Sequence, residues 1–257
     1  MLQHLLVRLR QGHKTQAYPK SLPPLPPRLR GLPVLDPSAC SLECDDCVRA
    51  CPSAALSLGE QAGAGRLNLD LGRCVFCGAC EQACPQGCIH FSGNHQLASS
   101  TREALCVDSR VQRLEVELEQ EMRRLFGRAL KLRQVSAGGC NACEADINVL
   151  TTIGWDLGRF GIDVVASPRH ADGLIVTGPV TENMREALLE TYAATPSPKL
   201  VIAVGACAIS GGLFAGHEEA HDGVGAFLPV DLYIPGCPPH PLTILDGLLR
   251  LLGRLPA

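Results

Sequence analysis

Two runs of cysteine carry the plainest chemistry in the chain. Cys74-x2-Cys77-x2-Cys80-x3-Cys84-Pro85 is preceded by Cys40-x3-Cys44-x2-Cys47-x3-Cys51-Pro52. Three thiolates two or three residues apart can wrap three corners of an iron–sulfur cube, while the fourth, beside a proline that ends the local turn, points to the neighbouring cube. On that pattern Cys40, Cys44, Cys47 and Cys84 hold one 4Fe-4S cluster, and Cys51, Cys74, Cys77 and Cys80 hold the other. Zinc competes for such thiols, but it favours two ligand pairs split by a longer loop over four thiols within about a dozen residues. The first run has x3 where x2 is usual, so one extra residue bulges from that loop or a nearby thiol substitutes. Cys88 is the surplus thiol; it and Cys106, expected on a helix, read as small core hydrophobes.

A second constellation is spread through the later half. Cys140, Cys143, Cys207 and Cys237 each fall just past the carboxyl end of an expected strand. In an open α/β sheet those ends share one edge, where ligands bind. Four thiols from three loops therefore converge, with glycines beside them that let backbone approach a bulky group. Four thiolates suit zinc as well as a cube, and spacing leaves both open. Glu144, next to Cys143, is either a helix-start carboxylate favoured by the helix dipole or a proton relay at an interface. Arg169 and His170 lie in a loop after a strand and read as a contact with a partner or with the cluster edge, or as plain surface.

The elements that must position these thiols differ along the chain. Residues 1–35 hold Arg8, Arg10, Lys14, Lys20, Arg28 and Arg30 and no acid, with four prolines between Leu22 and Pro27, so they read as an extended basic arm. Its first ten residues could form a basic amphipathic helix with Leu2, Leu5, Leu6 and Leu9 on one side, suited to a partner groove or an anionic lipid surface. Residues 36–100 are short turns with little periodicity; metal must staple them. Apolar residues from Glu103 to Phe126 recur at three and four, predicting a connecting helix within 101–129. From 130 to 257 short strands (130–135, 162–166, 173–177, 200–205, 231–234) alternate with helices (143–159, 182–194, 240–252), predicting a mostly parallel α/β sheet.

Composition narrows the function. Fourteen cysteines in 257 residues, in a chain whose apolar start is followed by Arg8 and Arg10 and so does not read as a signal peptide, point to a reducing compartment and metal ligation. A net charge of −3 argues against generic nucleic-acid binding. The uncharged stretch from Leu200 to Gly216 is broken by glycines and falls short of the roughly 20 apolar residues of a membrane span. No nucleophilic triad, dinucleotide loop or P-loop is present.

The segment from about Leu130 to Leu252 resembles the small-subunit family shared by NiFe hydrogenases and the quinone-reducing complex I, nearest to the electron-transfer small subunit of formate hydrogenlyase and related energy-converting hydrogenases. The resemblance is carried by Gly139-Cys140-Asn141-Ala142-Cys143-Glu144, Ser167-Pro168-Arg169-His170-Ala171-Asp172, Thr177-Gly178-Pro179-Val180, Gly205-Ala206-Cys207-Ala208 and Pro235-Gly236-Cys237-Pro238-Pro239. Residues 30–100 similarly resemble the two-cluster ferredoxin subunit of the same complexes. The resemblance implies a flavodoxin-like α/β domain plus a bacterial-ferredoxin-like α+β domain. It implies a third 4Fe-4S cluster on Cys140, Cys143, Cys207 and Cys237, and a non-catalytic electron-transfer subunit relaying electrons to or from the NiFe site of a large subunit. Cys140-x2-Cys143 is the hydrogenase-like spacing; the complex I branch has adjacent cysteines. Formate dehydrogenase or a soluble donor would be a further partner, and the site of action the cytoplasmic face of a membrane, reached through partner subunits. A complex I-like quinone-linked subunit and a non-redox, cluster-stapled assembly protein are the alternatives.

Overall fold

The computed structural model describes residues 2–36, 40, 44–59, 67–107, 124, 126 and 129–255. Helix α1 (Leu2–Gln11) begins the chain, and no residue of it is buried. Seven short elements follow: β1 (Pro33–Leu35), α2 (Asp46–Arg49), β2 (Leu56–Leu58), β3 (Leu67–Asp70), α3 (Ala79–Ala83), β4 (Ile89–Phe91) and β5 (Cys106–Val107). They make two small antiparallel sheets, β1-β4 and β2-β3-β5. Leu56, Leu67, Leu69, Leu71, Ile89, Phe91 and Leu105 pack between them, and the buried thiols of Cys47, Cys74 and Cys80 belong to the same core. This is the ferredoxin-like α+β module.

Its sheets recruit residues from both flanks of the 36–100 span. β1 lies in the segment expected to be an extended arm, yet pairs with β4 from Pro33–Phe91 to Leu35–Ile89. Proline is tolerated there because it opens a strand of a two-stranded sheet, where an N–H can be spared. Glu103–Leu105 forms a 3-10 turn and Cys106–Val107 pairs with β3, where a helix was expected to begin. Burial of Leu105 and Val107 against the small core outweighs the helical spacing. Cys106 consequently lies exposed on a strand and is neither helical nor a core residue. Of the rest of the expected connecting helix, Arg124 and Phe126 are described and helical, with Phe126 buried in the core; its other residues before Ala129, the loop between Cys40 and Cys44, and the turn around Gly63–Gly65 lie outside the described residues.

The second module is the expected parallel sheet: β6 (Leu130–Ser136), β7 (Ile162–Val164), β8 (Gly173–Thr177), β9 (Leu200–Val204) and β10 (Leu232–Ile234), in the order β10-β9-β8-β6-β7. Read from β7, that is the flavodoxin-like order 2-1-3-4-5. β8 and β9 are buried at every residue, as unbroken apolar runs covered on both faces should be. The helices are α4 (Ala142–Val149), α5 (Glu182–Ala194), α6 (Ala206–Ser210) and α7 (Pro241–Leu251). The helix expected over 143–159 stops at Val149. Thr151 and Thr152 turn their hydroxyls onto the carbonyls of Asn148 and Val149, and Gly154 follows.

Both modules and the arm interlock. Ser99 forms an antiparallel bridge with Tyr233 at the edge of β10, exchanging two backbone hydrogen bonds of 3.0 and 2.8 Å. Ser210 Oγ, at the end of α6, donates to the Gly72 carbonyl at 2.9 Å. Asp70, the last residue of β3, accepts a bidentate pair from Arg102. The arm is pinned by Tyr18, whose hydroxyl donates to Asp246 Oδ1 at 2.5 Å, while Arg250 Nε donates to Oδ2 at 2.8 Å. Asp246 is 1% exposed, so this is a carboxylate sunk in α7 and satisfied from two directions.

Candidate metal centres

The thiols fall into three groups. In the first, Cys47 lies buried at the start of α2, with Cys40, Cys44 and Cys84 half-buried. Burial pushes the Cys47 thiol up, and the facing thiols of Cys84, Cys40 and Cys44 push it further. Cys84 shows the opposite balance: burial raises it, but N–H donors from Cys88, Gln86 and Gly87 outweigh that and lower it overall. The Cys88 amide reaches Cys84 Sγ at 3.2 Å. The turn after Cys84-Pro85 thus folds its amides onto the sulfur, which favours a thiolate and tunes any cluster it holds. Cys88 itself is 2% exposed, raised to about 12 by burial and by contact with Cys84 and Cys40, the small buried residue expected beside the group.

The second group is Cys51, Cys74, Cys77 and Cys80, which line one cavity with Leu56, Leu69 and Phe91. Burial raises Cys74 to about 12, with a partial offset from the Phe76 amide and further increments from Cys80, Cys51 and Cys77. Cys80, in α3, rises to about 11 for the same chief reason, burial. The Ala55 amide donates to Cys51 Sγ at 3.2 Å and the Phe76 amide to Cys74 Sγ at 3.4 Å. Four sulfurs around one apolar-walled cavity, with amides aimed at two of them, fit a cluster, and Cys51 joins from the earlier run as the crossed pattern requires.

The third group gathers at the carboxyl edge of the parallel sheet. Cys140 and Cys143 follow β6, Cys207 opens α6 after β9, and Cys237 follows β10. The thiol of Cys143 is raised by burial, then by Glu144, Cys207, Cys237 and Cys140. Cys207 rises to about 11 by burial and the neighbouring Cys237 and Cys140. Glycine shapes the cradle at two points. Gly205 sits at φ +90°, and a Cβ there would come within 2.6 Å of Cys143 Sγ; Gly212, at φ +57°, would place one 3.0 Å from Cys207 Sγ. Only glycine permits both the backbone angle and the approach.

Glu144 is buried beside this group, its Oε1 accepting from Ser136 Oγ and Thr177 Oγ1, both at 2.6 Å. It is an anchored carboxylate with two hydroxyl donors and no facing cation among the described residues. Cys237 joins two groups: burial raises its thiol, followed by Cys140 of its own group and Cys77 of the second.

Other residues land elsewhere. Arg169 and His170 occupy a 3-10 turn before β8 and line a concavity with Lys131, Asp172 and Pro198, residues at the amino ends of strands. That is the edge opposite the thiols, so contact with the cluster edge is ruled out for them. Ile209, two residues after Cys207, is 6% exposed and packs over Gly72 of the ferredoxin module. Leu213 and Phe214 are 55% and 49% exposed. Sequence reasoning missed Tyr18 and His95, which meet Asp246 in the core; Asp246 and Arg250, charged and four apart inside the apolar run of α7, were the available signal.

Comparison with known proteins gives two matched segments. Residues 140–251 match the NADH ubiquinone oxidoreductase 20 Kd subunit family, and residues 39–88 match the 4Fe-4S dicluster domain. The chain is 40% identical over 148 residues to a probable membrane-bound hydrogenase subunit of Pyrococcus furiosus, covering 58% of this chain and 88% of that protein. It is 40% identical over 151 residues to formate hydrogenlyase subunit 7 of Escherichia coli, covering 59% of this chain and 58% of the relative. An NADH-quinone oxidoreductase subunit of Clostridium beijerinckii is 45% identical over 118 residues, 46% of this chain and 70% of that one.

Proposed function

The chain belongs to the NADH ubiquinone oxidoreductase 20 Kd subunit family, and from that premise we propose that it relays electrons through three 4Fe-4S clusters to or from the active site of a large subunit in a hydrogenase-type complex. Its place as an iron–sulfur electron-transfer subunit follows from the family and the dicluster segment. Cys40, Cys44, Cys47 and Cys84 are the ligands of one cluster, Cys51, Cys74, Cys77 and Cys80 of the second, and Cys140, Cys143, Cys207 and Cys237 of the third. When bound, such clusters supply one-electron redox centres whose potentials follow their hydrogen bonds, charge and solvent access.

The chain's own residues set those conditions. Amides of Cys88, Ala55 and Phe76 donate to ligand sulfurs in the first two sites. Glu144, held by the hydroxyls of Ser136 and Thr177, places a fixed polar group beside the third. Leu213 and Phe214, exposed beside Cys207, fit a dry face closed by the large subunit. The observation that carries the reading is the seam between the modules, where Ser210, three residues after Cys207, donates through its hydroxyl to the Gly72 carbonyl, two residues before Cys74, and Ile209 packs over Gly72. It supports a junction between the second and third sites, and hence one wire instead of three isolated staples.

The Cys140-x2-Cys143 pair favours a nickel–iron partner, as in formate hydrogenlyase; the similarity to an NADH-quinone oxidoreductase subunit favours a quinone-linked one as second reading. The test is anaerobic purification of the complex with metal and sulfide analysis. We expect about twelve iron and twelve sulfide per copy of this chain, no zinc, and nickel in the large subunit. About eight iron with zinc present would remove the third cluster. A redox-active complex without nickel would replace the hydrogenase reading by the quinone-linked one, and clusters that dithionite fails to reduce would leave only the assembly role.

A further inference from the structure

Helix α1 is an apolar surface that the relay does not use. Leu2, Leu5, Leu6 and Leu9 recur at the spacing of a single helix face and are 74%, 61%, 48% and 79% exposed. At 100° per residue, Arg8 and Arg10 flank that stripe on either side. Ten residues with no buried side chain are too short to hold a helix in water, where roughly 12 to 15 residues are marginal even for good formers. A surface that takes the leucines must therefore supply the stability.

Charge decides which surface. The first 35 residues carry six cations and no carboxylate, in a chain whose net charge is −3. A leucine stripe bordered by arginines, whose long stems can lie along the boundary while their heads reach phosphate, is the pattern of a helix lying in an anionic lipid interface. The root of the helix continues the patch. Gln16 N–H donates to the Gly154 carbonyl at 2.7 Å, beside Ile153, which is 77% exposed. His13, Lys20 and Arg159 border the adjoining concavity, with Asp156 as the carboxylate among them. This patch lies beyond the far end of α4, about 12 Å along the helix from the third thiol group at its start, so lipid contact there leaves the large-subunit face free.

We propose that α1 and Ile153 form a membrane-surface patch by which this chain itself lies on anionic lipid, independently of partner subunits. The test is flotation of the cluster-loaded full chain, kept anaerobic, with vesicles of phosphatidylcholine alone or mixed in equal parts with phosphatidylglycerol. We expect partition at least about tenfold stronger onto the anionic vesicles, weakening with salt. Leu5→Asp with Leu9→Asp should abolish it, and Arg8→Gln with Arg10→Gln should remove the preference for anionic lipid. Because no residue of α1 is buried, iron content should be unchanged in both variants, which separates this outcome from a failure of the relay reading. Absence of flotation by the wild-type chain, or equal flotation of the Leu5→Asp, Leu9→Asp variant, overturns the proposal. So does loss of a co-purifying subunit in that variant while vesicle binding persists, which would assign the helix to a protein groove.

Discussion

The two modules bury their cysteines in opposite ways. In the ferredoxin module Cys47, Cys74 and Cys80 are part of the core, sharing it with a handful of leucines from strands of three and four residues. In the α/β module β8 and β9 are buried at every residue, and Cys140 and Cys237 stand exposed on the rim. One module is built around its metal sites, whereas the other is a hydrocarbon core that presents a site at its edge. On the proposed ligand assignment, metal binding should accordingly be folding free energy in the first and mainly assembly free energy in the second.

Stripping iron from the whole chain with a chelator is the sharpest way to break this comparison. Amides of β2 and β3 should lose hydrogen-exchange protection by roughly 100-fold or more, while those of β8 and β9 keep theirs. Equal loss in both sheets would mean that the modules fold as one unit.

The next largest effect belongs to the α/β side and needs no metal. Asp246→Ala removes the buried acceptor of the Tyr18 hydroxyl and of Arg250 Nε, and should cost about 1–3 kcal/mol of stability in denaturant titration of the iron-loaded chain. A loss confined to the ferredoxin module would contradict the placement of this network.

A smaller effect sits in the same network. His95 is 4% exposed and its Nε2 has no hydrogen-bond partner among the described residues, lying 3.8 Å from Asp246 Oδ1. Burial lowers its pKa, Asp246 opposes the shift and Arg250 reinforces it. The unfolded chain therefore takes up a proton below about pH 6.5 that the folded one resists, so stability should be fully present above that pH and fall as the medium is acidified. His95→Phe should flatten that slope. Part will remain, because burial also lowers His240, which keeps that contribution when His95 is replaced. An unchanged slope would show that His95 is not the group responsible. Smallest of all, Cys140→Ala should remove iron from the proposed third site yet change the unfolding free energy of the α/β module by no more than about 0.5 kcal/mol, as befits an exposed rim position.

Most of the parallel sheet was readable from local pattern. Gly173–Thr177 and Leu200–Val204 are short apolar runs that fold as strands buried on both faces, whereas Leu130–Val135 turns Leu130, Leu132 and Val135 inward and leaves Lys131 exposed. The grouping of thiols was readable because spacing within a turn limits which sulfurs can meet. What escaped were pairings between distant segments. Tyr18 meets Asp246 across 228 residues, β1 meets β4 across more than fifty, and Ile209 disappears under Gly72. None leaves a period in the sequence, since each is decided by what the rest of the fold brings alongside. The interruption after Val149 is intermediate: Thr151, Thr152 and Gly154 were visible, but the apolar spacing on either side concealed them.

The Ser99–Tyr233 bridge and the Ser210–Gly72 hydrogen bond have a consequence for supply. Were the ferredoxin and α/β modules made as separate chains, their output would depend on equal synthesis and on encounter at cellular dilution. Joined in one polypeptide, each finds its neighbour at an effective concentration in the millimolar range whatever the expression level. Stoichiometry is then set by translation itself: an α/β module without its ferredoxin cannot accumulate, and a partner subunit that recruits one receives both.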